Sequence, residues 1–84
     1  MGTDELKQVI KEYIINEFLP GEQPESVTDD LPLISGGILD SIATLKLVLF
    51  IENRFGIVLE AHEADRENMD TLNQIAATVE SKIK

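Results

Sequence analysis

Apolar residues recur at helical spacing in three stretches of the chain, and segments without this spacing separate them. The first stretch places six apolar side chains on one helical face: Leu6, Val9, Ile10, Tyr13, Ile14 and Phe18. Thr3 can cap the start of this helix, with Asp4 and Glu5 in the first turn near its positive end. The segment Leu19-Pro20-Gly21 ends the helix, because proline disfavours helical backbone in the residue that precedes it.

The second stretch, from Ser41 to about Phe55, carries apolar residues almost all round the helical wheel. A helix of this kind is usually central and contacts several neighbours. We expect one set of its residues to face the other helices: Leu47, Val48, Ile51 and Phe55. A second set falls on a different side, near Lys46 and Asn53, and the pattern alone favours further core residues there: Ile42, Leu45 and Leu49.

Gly56 suits the C-terminal end of the second helix, where a left-handed backbone favours glycine. The run Ile57-Val58-Leu59 looks strand-like, but a lone strand has nothing to pair with, so we expect an extended connector packed into the core. A short third helix is predicted around residues 62–67. The last helix is predicted to begin at Asp70 or Thr71 and to carry apolar residues at helical spacing: Leu72, Ile75, Ala76, Val79 and Ile83.

Residues 22–40 form a long segment between the first two helices, rich in Pro, Asp, Ser and Gly. Loops of this length are unusual in small domains and are often functional. Four apolar residues are expected to pin the loop onto the helices: Val27, Leu31, Leu33 and Ile34. The pattern therefore predicts an all-α four-helix bundle, with three longer helices, one short third helix and a long loop between the first two. No repeat or linker divides it, so we expect residues 1–84 to form one domain.

Composition limits the classes of function open to this chain. Its 84 residues, 43% of them hydrophobic, allow one small core. The formal net charge of −9 argues against nucleic-acid binding, which needs clustered Lys and Arg, and favours partners with basic surfaces. No stretch reaches the length of a membrane span, so we expect a cytoplasmic protein, and we expect it to be a monomer.

The residue types needed for catalysis or metal binding are scarce. The absence of cysteine excludes disulfides and thiolate metal sites, and His62 has no second histidine to work with. No Ser/His/Asp arrangement offers a base near Ser41, and the sequence lacks the glycine-rich loop with a lysine that binds phosphates in nucleotide-binding proteins. We therefore predict that the protein is not an enzyme and holds no metal. Any thioester chemistry would need a thiol supplied by a cofactor.

The stretch Gly36-Gly37-Ile38-Leu39-Asp40-Ser41-Ile42 is the strongest candidate site. Two glycines loosen the backbone, and Asp and Ser favour helix N-termini because their side-chain oxygens accept unpaired amide protons. A hydroxyl placed here lies beside the positive end of a helix dipole, where anions are favoured. The position suits attachment of a phosphodiester. The alternative is an Asp-Ser pair that only caps the helix.

The residues Leu39-Asp40-Ser41-Ile42, followed by Leu47, Val48, Ile51 and Phe55, resemble the acyl carrier protein family. In that family the serine of an Asp-Ser-Leu signature carries a 4′-phosphopantetheine arm, whose thiol holds acyl groups as thioesters. The resemblance covers residues 6–83. It implies that a phosphopantetheinyl transferase, with Mg²⁺, moves the arm covalently from coenzyme A to Ser41, with Asp40 in a supporting role.

The resemblance also implies a set of partner proteins. An acyl- or aminoacyl-carrier synthetase or ligase would load the thiol, and downstream acyl-using enzymes would take the cargo. These enzymes would bind a contact face on the second helix, made of Ile42, Leu45, Lys46, Leu49 and Asn53. This implication competes with the core interpretation of the three apolar residues, and we favour the contact face.

Charge placement in the second helix differs from that of a typical fatty-acid-synthesis carrier, which has a strongly acidic second helix. Here the second helix contains two basic residues, Lys46 and Arg54, and a single acidic residue, Glu52. We therefore predict a specialised stand-alone carrier in a lipid or secondary-metabolite pathway. The stretches Glu52-Asn53-Arg54-Phe55 and Asp65-Arg66-Glu67-Asn68 look more like carriers loaded with amino acids, so an aminoacyl, D-alanyl or peptidyl carrier is the alternative. An unmodified helical protein-interaction domain is a further one.

Overall fold

The computed structural model describes residues 2–83, apart from the side chains of Pro24 and Arg66. Within this range four α-helices follow one another: α1 Thr3–Phe18, α2 Ser41–Phe55, α3 Arg66–Met69 and α4 Leu72–Ile83. A 3₁₀ turn, Pro24–Ser26, interrupts the long loop between α1 and α2. Residues 2–83 contain no strand. The predicted all-α bundle of three longer helices and one short third helix is confirmed.

One apolar cluster holds the helices and the long loop together. Helix α1 packs mainly against α4, and α2 contacts both. The largest fully buried side chains come from all four helices and from the loop: Leu6, Ile10, Ile14, Val27, Leu33, Leu39, Leu47, Ile51, Met69, Leu72, Ile75 and Val79. Val27 and Leu33 are therefore the loop anchors that the sequence predicted, whereas Leu31 and Ile34 are only partly buried.

Helix α1 begins differently from the prediction. Gly2, rather than Thr3, is its N-cap residue, and no side chain caps this end. Thr3 is the first helical residue, and its hydroxyl donates instead to the Glu80 carboxylate of α4. The predicted cap is therefore wrong, because the tertiary contact with α4 takes the hydroxyl that a local cap would use. Ile15 is also buried, although it was not part of the apolar face that the helical spacing predicted for α1.

Aromatic contacts join α1 to α2 on the side that faces solvent. The rings of Tyr13 and Phe50 are stacked with centroids 4.0 Å apart, and Phe18 meets Tyr13 edge-on at 5.8 Å. The Tyr13 hydroxyl donates to the backbone oxygen of Lys46 at 3.3 Å. Burial raises the pKa of Tyr13 above its ordinary value of 10.0, and the nearby Glu17 carboxylate raises it further. The hydroxyl therefore stays a hydrogen-bond donor at neutral pH.

The bounds predicted for the second helix are confirmed, and so is its glycine cap. Gly56 has a φ of +66°, and its N–H donates to the backbone oxygen of Glu52. Leu47 and Ile51 are fully buried, as expected. Phe55 is only partly buried and packs against the core cluster. It is the last residue of α2, and the Arg54 guanidinium lies 5.5 Å from its ring centroid.

The segment between α2 and α4 contains a second correction. The short third helix was predicted around residues 62–67, but α3 spans only Arg66–Met69. Residues 61–65 form turns instead, and Asp65 caps α3 by accepting from the Asn68 N–H at 3.1 Å. Before these turns, Leu59 is buried while Val58 is exposed, so only part of the predicted connector packs into the core.

Helix α4 has a reciprocal cap at its start. The Thr71 hydroxyl accepts from the Gln74 N–H at 3.1 Å, and the Gln74 side-chain oxygen accepts from the Thr71 N–H at 3.3 Å. This is a capping box, which satisfies two amide donors that the helix itself leaves unpaired. The prediction that the last helix starts at residue 70 or 71 is therefore correct to within two residues.

Candidate functional site

Asp40 and Ser41 lie at the start of α2 and have different roles. Asp40 is the N-cap residue, and its Oδ1 accepts from the Ala43 N–H at 2.7 Å. Its backbone oxygen accepts from the Thr44 hydroxyl at 2.8 Å. Ser41 is the first helical residue and is exposed, and no hydrogen bond to any described residue engages its hydroxyl. The cap therefore comes from Asp40, and the Ser41 hydroxyl is left available.

The electrostatic setting of Ser41 favours an anion. The first amides of a long helix are unpaired, and their dipoles sum to a partial positive charge at this end. The first turn of α2 contains no acidic residue, so Asp40 is the carboxylate closest along the chain. A phosphate attached to Ser41 would thus lie at the positive end of the helix, with Asp40 as its one acidic neighbour along the chain.

Two open depressions flank Asp40, and Ser41 lines the larger one. That depression has a volume of about 480 Å³ and is lined by Ile34, Leu39, Asp40, Ser41 and Thr44. The smaller one, about 210 Å³, is lined by Phe18, Asp40, Ile42, Ala43 and Lys46. Both are open to solvent, so a group attached to Ser41 would have room without displacing core residues.

The glycines before the site form a fixed turn. An added Cβ at Gly36 would lie 2.2 Å from the backbone oxygen of Pro32, which no side chain tolerates. Gly37 has a φ of +81°, a conformation that favours glycine, and its N–H donates to the Ile34 oxygen at 3.1 Å. The sequence suggested a loosened backbone here. The structure instead shows two glycines that close a hydrogen-bonded turn.

Asp70, between α3 and α4, contacts this turn although it is far away in sequence. Its Oδ1 accepts from the N–H groups of Ile34 and Ser35, at 2.8 and 2.9 Å. Its Oδ2 accepts from the Ser35 hydroxyl at 2.6 Å. Sequence reasoning treated Asp70 only as an acidic residue near a helix start. No local signal could have found these contacts, because the residues that they join are 35 or 36 positions apart in the sequence.

The predicted contact face of α2 is exposed. Ile42, Leu45 and Leu49 have relative exposures of 68%, 58% and 49%. Lys46 and Asn53 are exposed as well. The core interpretation of the three apolar residues is therefore wrong, and the five residues of this face are open to a partner. Glu52, the one acidic residue within α2, points its carboxylate at the Leu59 N–H at 2.8 Å.

The described residues offer no candidate metal site. His62 is exposed, and within residues 2–83 no group of three potential ligands is placed to hold a metal ion. None of the helices described here combines the length and apolar character that crossing a bilayer requires.

Curated D-alanyl carrier proteins are similar to this chain over nearly its whole length. The protein of Leuconostoc mesenteroides is 35% identical over 79 residues, which cover 94% of this chain and 97% of the relative. That of Lacticaseibacillus casei is 39% identical over 80 residues, covering 95% and 96%. That of Lacticaseibacillus rhamnosus is 43% identical with the same coverage. No protein-family model matches the chain.

These relatives are named as carriers and not as enzymes, so the prediction of a non-catalytic protein is confirmed. They give no support to a lipid or secondary-metabolite pathway and instead favour the alternative of a D-alanyl carrier. Identity of this level over nearly the whole chain agrees with the all-α fold and with the exposed Ser41 that follows the Asp40 cap. The chain therefore belongs to the carrier-protein family of acyl carrier type, in which these D-alanyl carrier proteins are found.

Proposed function

We propose that this protein is a D-alanyl carrier that bears a 4′-phosphopantetheine arm on Ser41. The observation that carries the proposal is the exposed Ser41 hydroxyl at the first residue of α2, left without a bond because Asp40 caps the helix. The similarity to D-alanyl carrier proteins supports D-alanine as the cargo.

The residues around Ser41 suit attachment of the arm. In the transfer, Ser41 Oγ forms a bond to the pantetheine-bearing phosphorus of coenzyme A. The phosphorus–oxygen bond to 3′,5′-ADP breaks, and the hydroxyl proton passes to a base on the transferase. The chain's part is to hold Oγ in solvent, beside unpaired helix amides that stabilise the resulting phosphodiester. Asp40 contributes by fixing the helix start through its bond to Ala43.

The chain has no cysteine, so it cannot itself provide the thiol that a thioester needs. The terminal thiol of the arm would hold the aminoacyl group as a thioester. A ligase would form that thioester, and an acyl-using enzyme would remove the D-alanyl group. A cytoplasmic location and a monomeric state stay predictions.

The contact face for these enzymes is proposed to be Ile42, Leu45, Lys46, Leu49 and Asn53. Its three apolar residues are exposed, which has a cost in water unless a partner covers them. The two basic residues Lys46 and Arg54 outnumber Glu52 within α2, so this helix is slightly basic. We therefore expect docking on this face to be mainly apolar and to depend weakly on salt.

Intact-mass measurement tests the attachment site. The purified apo protein is incubated with coenzyme A, Mg²⁺ and a phosphopantetheinyl transferase, and should gain the mass of one arm. Ser41→Ala should gain none, whereas Ser26→Ala, an exposed serine in the 3₁₀ turn, should be modified like the wild type. Arm attachment to Ser41→Ala would overturn the assignment.

The cargo needs a separate measurement on the modified protein. A D-alanine–carrier ligase and ATP are supplied with D-alanine, with L-alanine or with short acyl acids and their own synthetases. A second mass increase that is fastest with D-alanine supports the proposal. Loading by acyl acids at a higher kcat/KM would instead make the protein a general acyl carrier.

A further inference from the structure

Asp70 bonds to the loop that leads into Ser41 through both its side chain and its backbone. Its carboxylate accepts from the backbone N–H groups of Ile34 and Ser35 and from the Ser35 hydroxyl, at 2.6–2.9 Å. Its backbone oxygen accepts from the Leu33 N–H at 2.6 Å. Four hydrogen bonds from one residue thus hold three consecutive loop residues against the junction of α3 and α4.

The loop transmits this anchoring to the attachment site within a few residues. The Leu33 oxygen accepts from the N–H groups of Ile38 and Leu39, at 2.9 and 2.8 Å. Leu39 is buried, and the next residue, Asp40, caps α2. The turn between these bonds admits no side chain at Gly36. The path from Asp70 to Ser41 is therefore continuously hydrogen-bonded or packed.

Capping of α4 does not explain the position of the Asp70 carboxylate. Helix α4 has its own cap in the reciprocal bonds of Thr71 and Gln74. The carboxylate points the other way, into the loop, where bonds from amide donors to an ionised acceptor are strong. A partly buried acid that accepts two successive amides fixes the course of that backbone.

We propose that Asp70 is a positioning residue for phosphopantetheine attachment, holding the segment from Leu33 to Leu39 so that Ser41 meets the transferase in one orientation. The role rests on the proposed function of Ser41. Without the anchor, the chain samples loop conformers that the transferase does not bind. Because only the competent fraction binds, the KM of the transferase for the apo protein rises while kcat at saturation changes little.

Transfer kinetics and amide exchange on the same variants test this role. Asp70→Ala should raise the transferase KM for the apo protein by about tenfold, with kcat within about twofold of wild type. The amides of Ile34 and Ser35 should exchange about tenfold faster, because their acceptor is lost. Asp70→Asn keeps an oxygen for these amides and should restore most of the KM. Ser35→Ala removes only the hydroxyl bond and should have a smaller effect.

Asp65→Ala is the matched control. Asp65 caps α3 as Asp70 anchors the loop, so its loss also destabilises the region, but it has no bond to the loop. All variants are assayed at a temperature where circular dichroism shows them folded, and Asp65→Ala should keep the wild-type KM. Should Asp70→Ala fail to fold, Ser35→Ala decides in its place, with a KM rise of about threefold expected.

Two outcomes overturn the inference, and they can be told apart. A wild-type KM in Asp70→Ala, or an equal rise in Asp65→Ala, would remove the positioning role while leaving Ser41 as the attachment site. A wild-type protein that accepts no arm would overturn the proposed function and this role with it. In that case the exchange of Ile34 and Ser35 would still show whether Asp70 orders the loop.

Discussion

Asp40 and Ser41 are adjacent residues whose side-chain oxygens serve different purposes. The Asp40 carboxylate satisfies the Ala43 N–H, which the helix itself leaves unpaired. The Ser41 hydroxyl satisfies nothing within the described chain. A group attached to Ser41 therefore does not remove the bond that caps the helix. The helix start is therefore expected to be the same with and without a group on Ser41.

The first prediction separates these two roles by stability. Asp40→Ala should lower the free energy of unfolding by about 1 kcal/mol, the usual effect of losing an N-cap. Ser41→Ala should change it by less than about 0.5 kcal/mol, because an exposed side chain without a bond is removed. Urea denaturation followed by circular dichroism measures both. A larger loss in Ser41→Ala than in Asp40→Ala would contradict the assignment of the cap.

Helix α2 packs on one side and is exposed on the other. Leu47 and Ile51 have no exposed surface, while Leu45 and Leu49, two positions along from Leu47 in either direction, are about half exposed. Residues two positions apart lie on opposite sides of a helix, so this alternation follows from the 100° turn per residue. The helix therefore supports the core with one side and offers an apolar surface with the other.

The second prediction compares the two sides with one substitution. Leu47→Ala should cost about 2–5 kcal/mol of unfolding free energy, because a cavity replaces a fully buried side chain. Small domains have roughly 5–15 kcal/mol in total, so a marked fall in Tm is expected. Leu45→Ala, from the same helix but exposed, is the control and should cost less than about 0.5 kcal/mol. Equal losses would show that the phase of α2 is misassigned.

The third prediction concerns the exposed side of the same helix. Leu45→Ala should reduce kcat/KM for loading by the ligase by about tenfold, the loss expected of an apolar residue at the centre of an interface. Raising the salt concentration should change the wild-type rate little. Val58→Ala provides the control, since Val58 is also apolar and exposed but lies outside α2. A slower reaction in both variants would argue against this contact face.

At the scale of the whole molecule, ion pairs join segments that are distant in sequence. Lys7 of α1 pairs with Asp29 of the long loop at 3.1 Å, and Lys82 of α4 pairs with Glu63 at 2.8 Å. The hydrogen bond from Lys82 lowers the pKa of Glu63 below its ordinary value of 4.5, and the Glu60 N–H lowers it further. In a chain of net charge −9, both lysines therefore form ion pairs with acidic residues of other segments.

The fourth prediction follows from the lowered pKa of Glu63. A carboxyl group whose pKa is lower in the folded state stabilises the fold above its unfolded pKa, and this contribution is lost as the pH falls through the folded pKa. Glu63→Gln should therefore be less stable than wild type at pH 7, with the difference shrinking below pH 4.5. Urea denaturation across a pH series measures it.

The partner of Glu63 provides the control for this effect. Lys82→Met should reproduce the loss at pH 7, and the double variant should lose less than the sum of the two single variants, since they remove the same interaction. A difference between Glu63→Gln and wild type that does not vary with pH would contradict an ionic origin.

Local features of the sequence determined the three longer helices, the limits of α2 and the candidate serine. Caps, glycine stops and helical spacing depend on residues that are neighbours along the chain, so they can be read without a fold. The limits Ser41 and Phe55 were therefore predicted correctly, as was the left-handed cap at Gly56. The short α3 was misplaced because a helix of one turn is too short to show a helical spacing of apolar residues. Its start is set instead by the bond between Asp65 and the Asn68 N–H.

Only the tertiary structure decided which contacts form between segments that are far apart in sequence. Thr3 lost its predicted capping role to a contact with Glu80, and Ile42, Leu45 and Leu49 were left exposed because no other element covers that side of α2 among the described residues. The bonds of Asp70 to the loop before Ser41 belong to the same class. A sequence pattern shows which side chains could pair or be buried, but the packing of the helices selects the partners they meet.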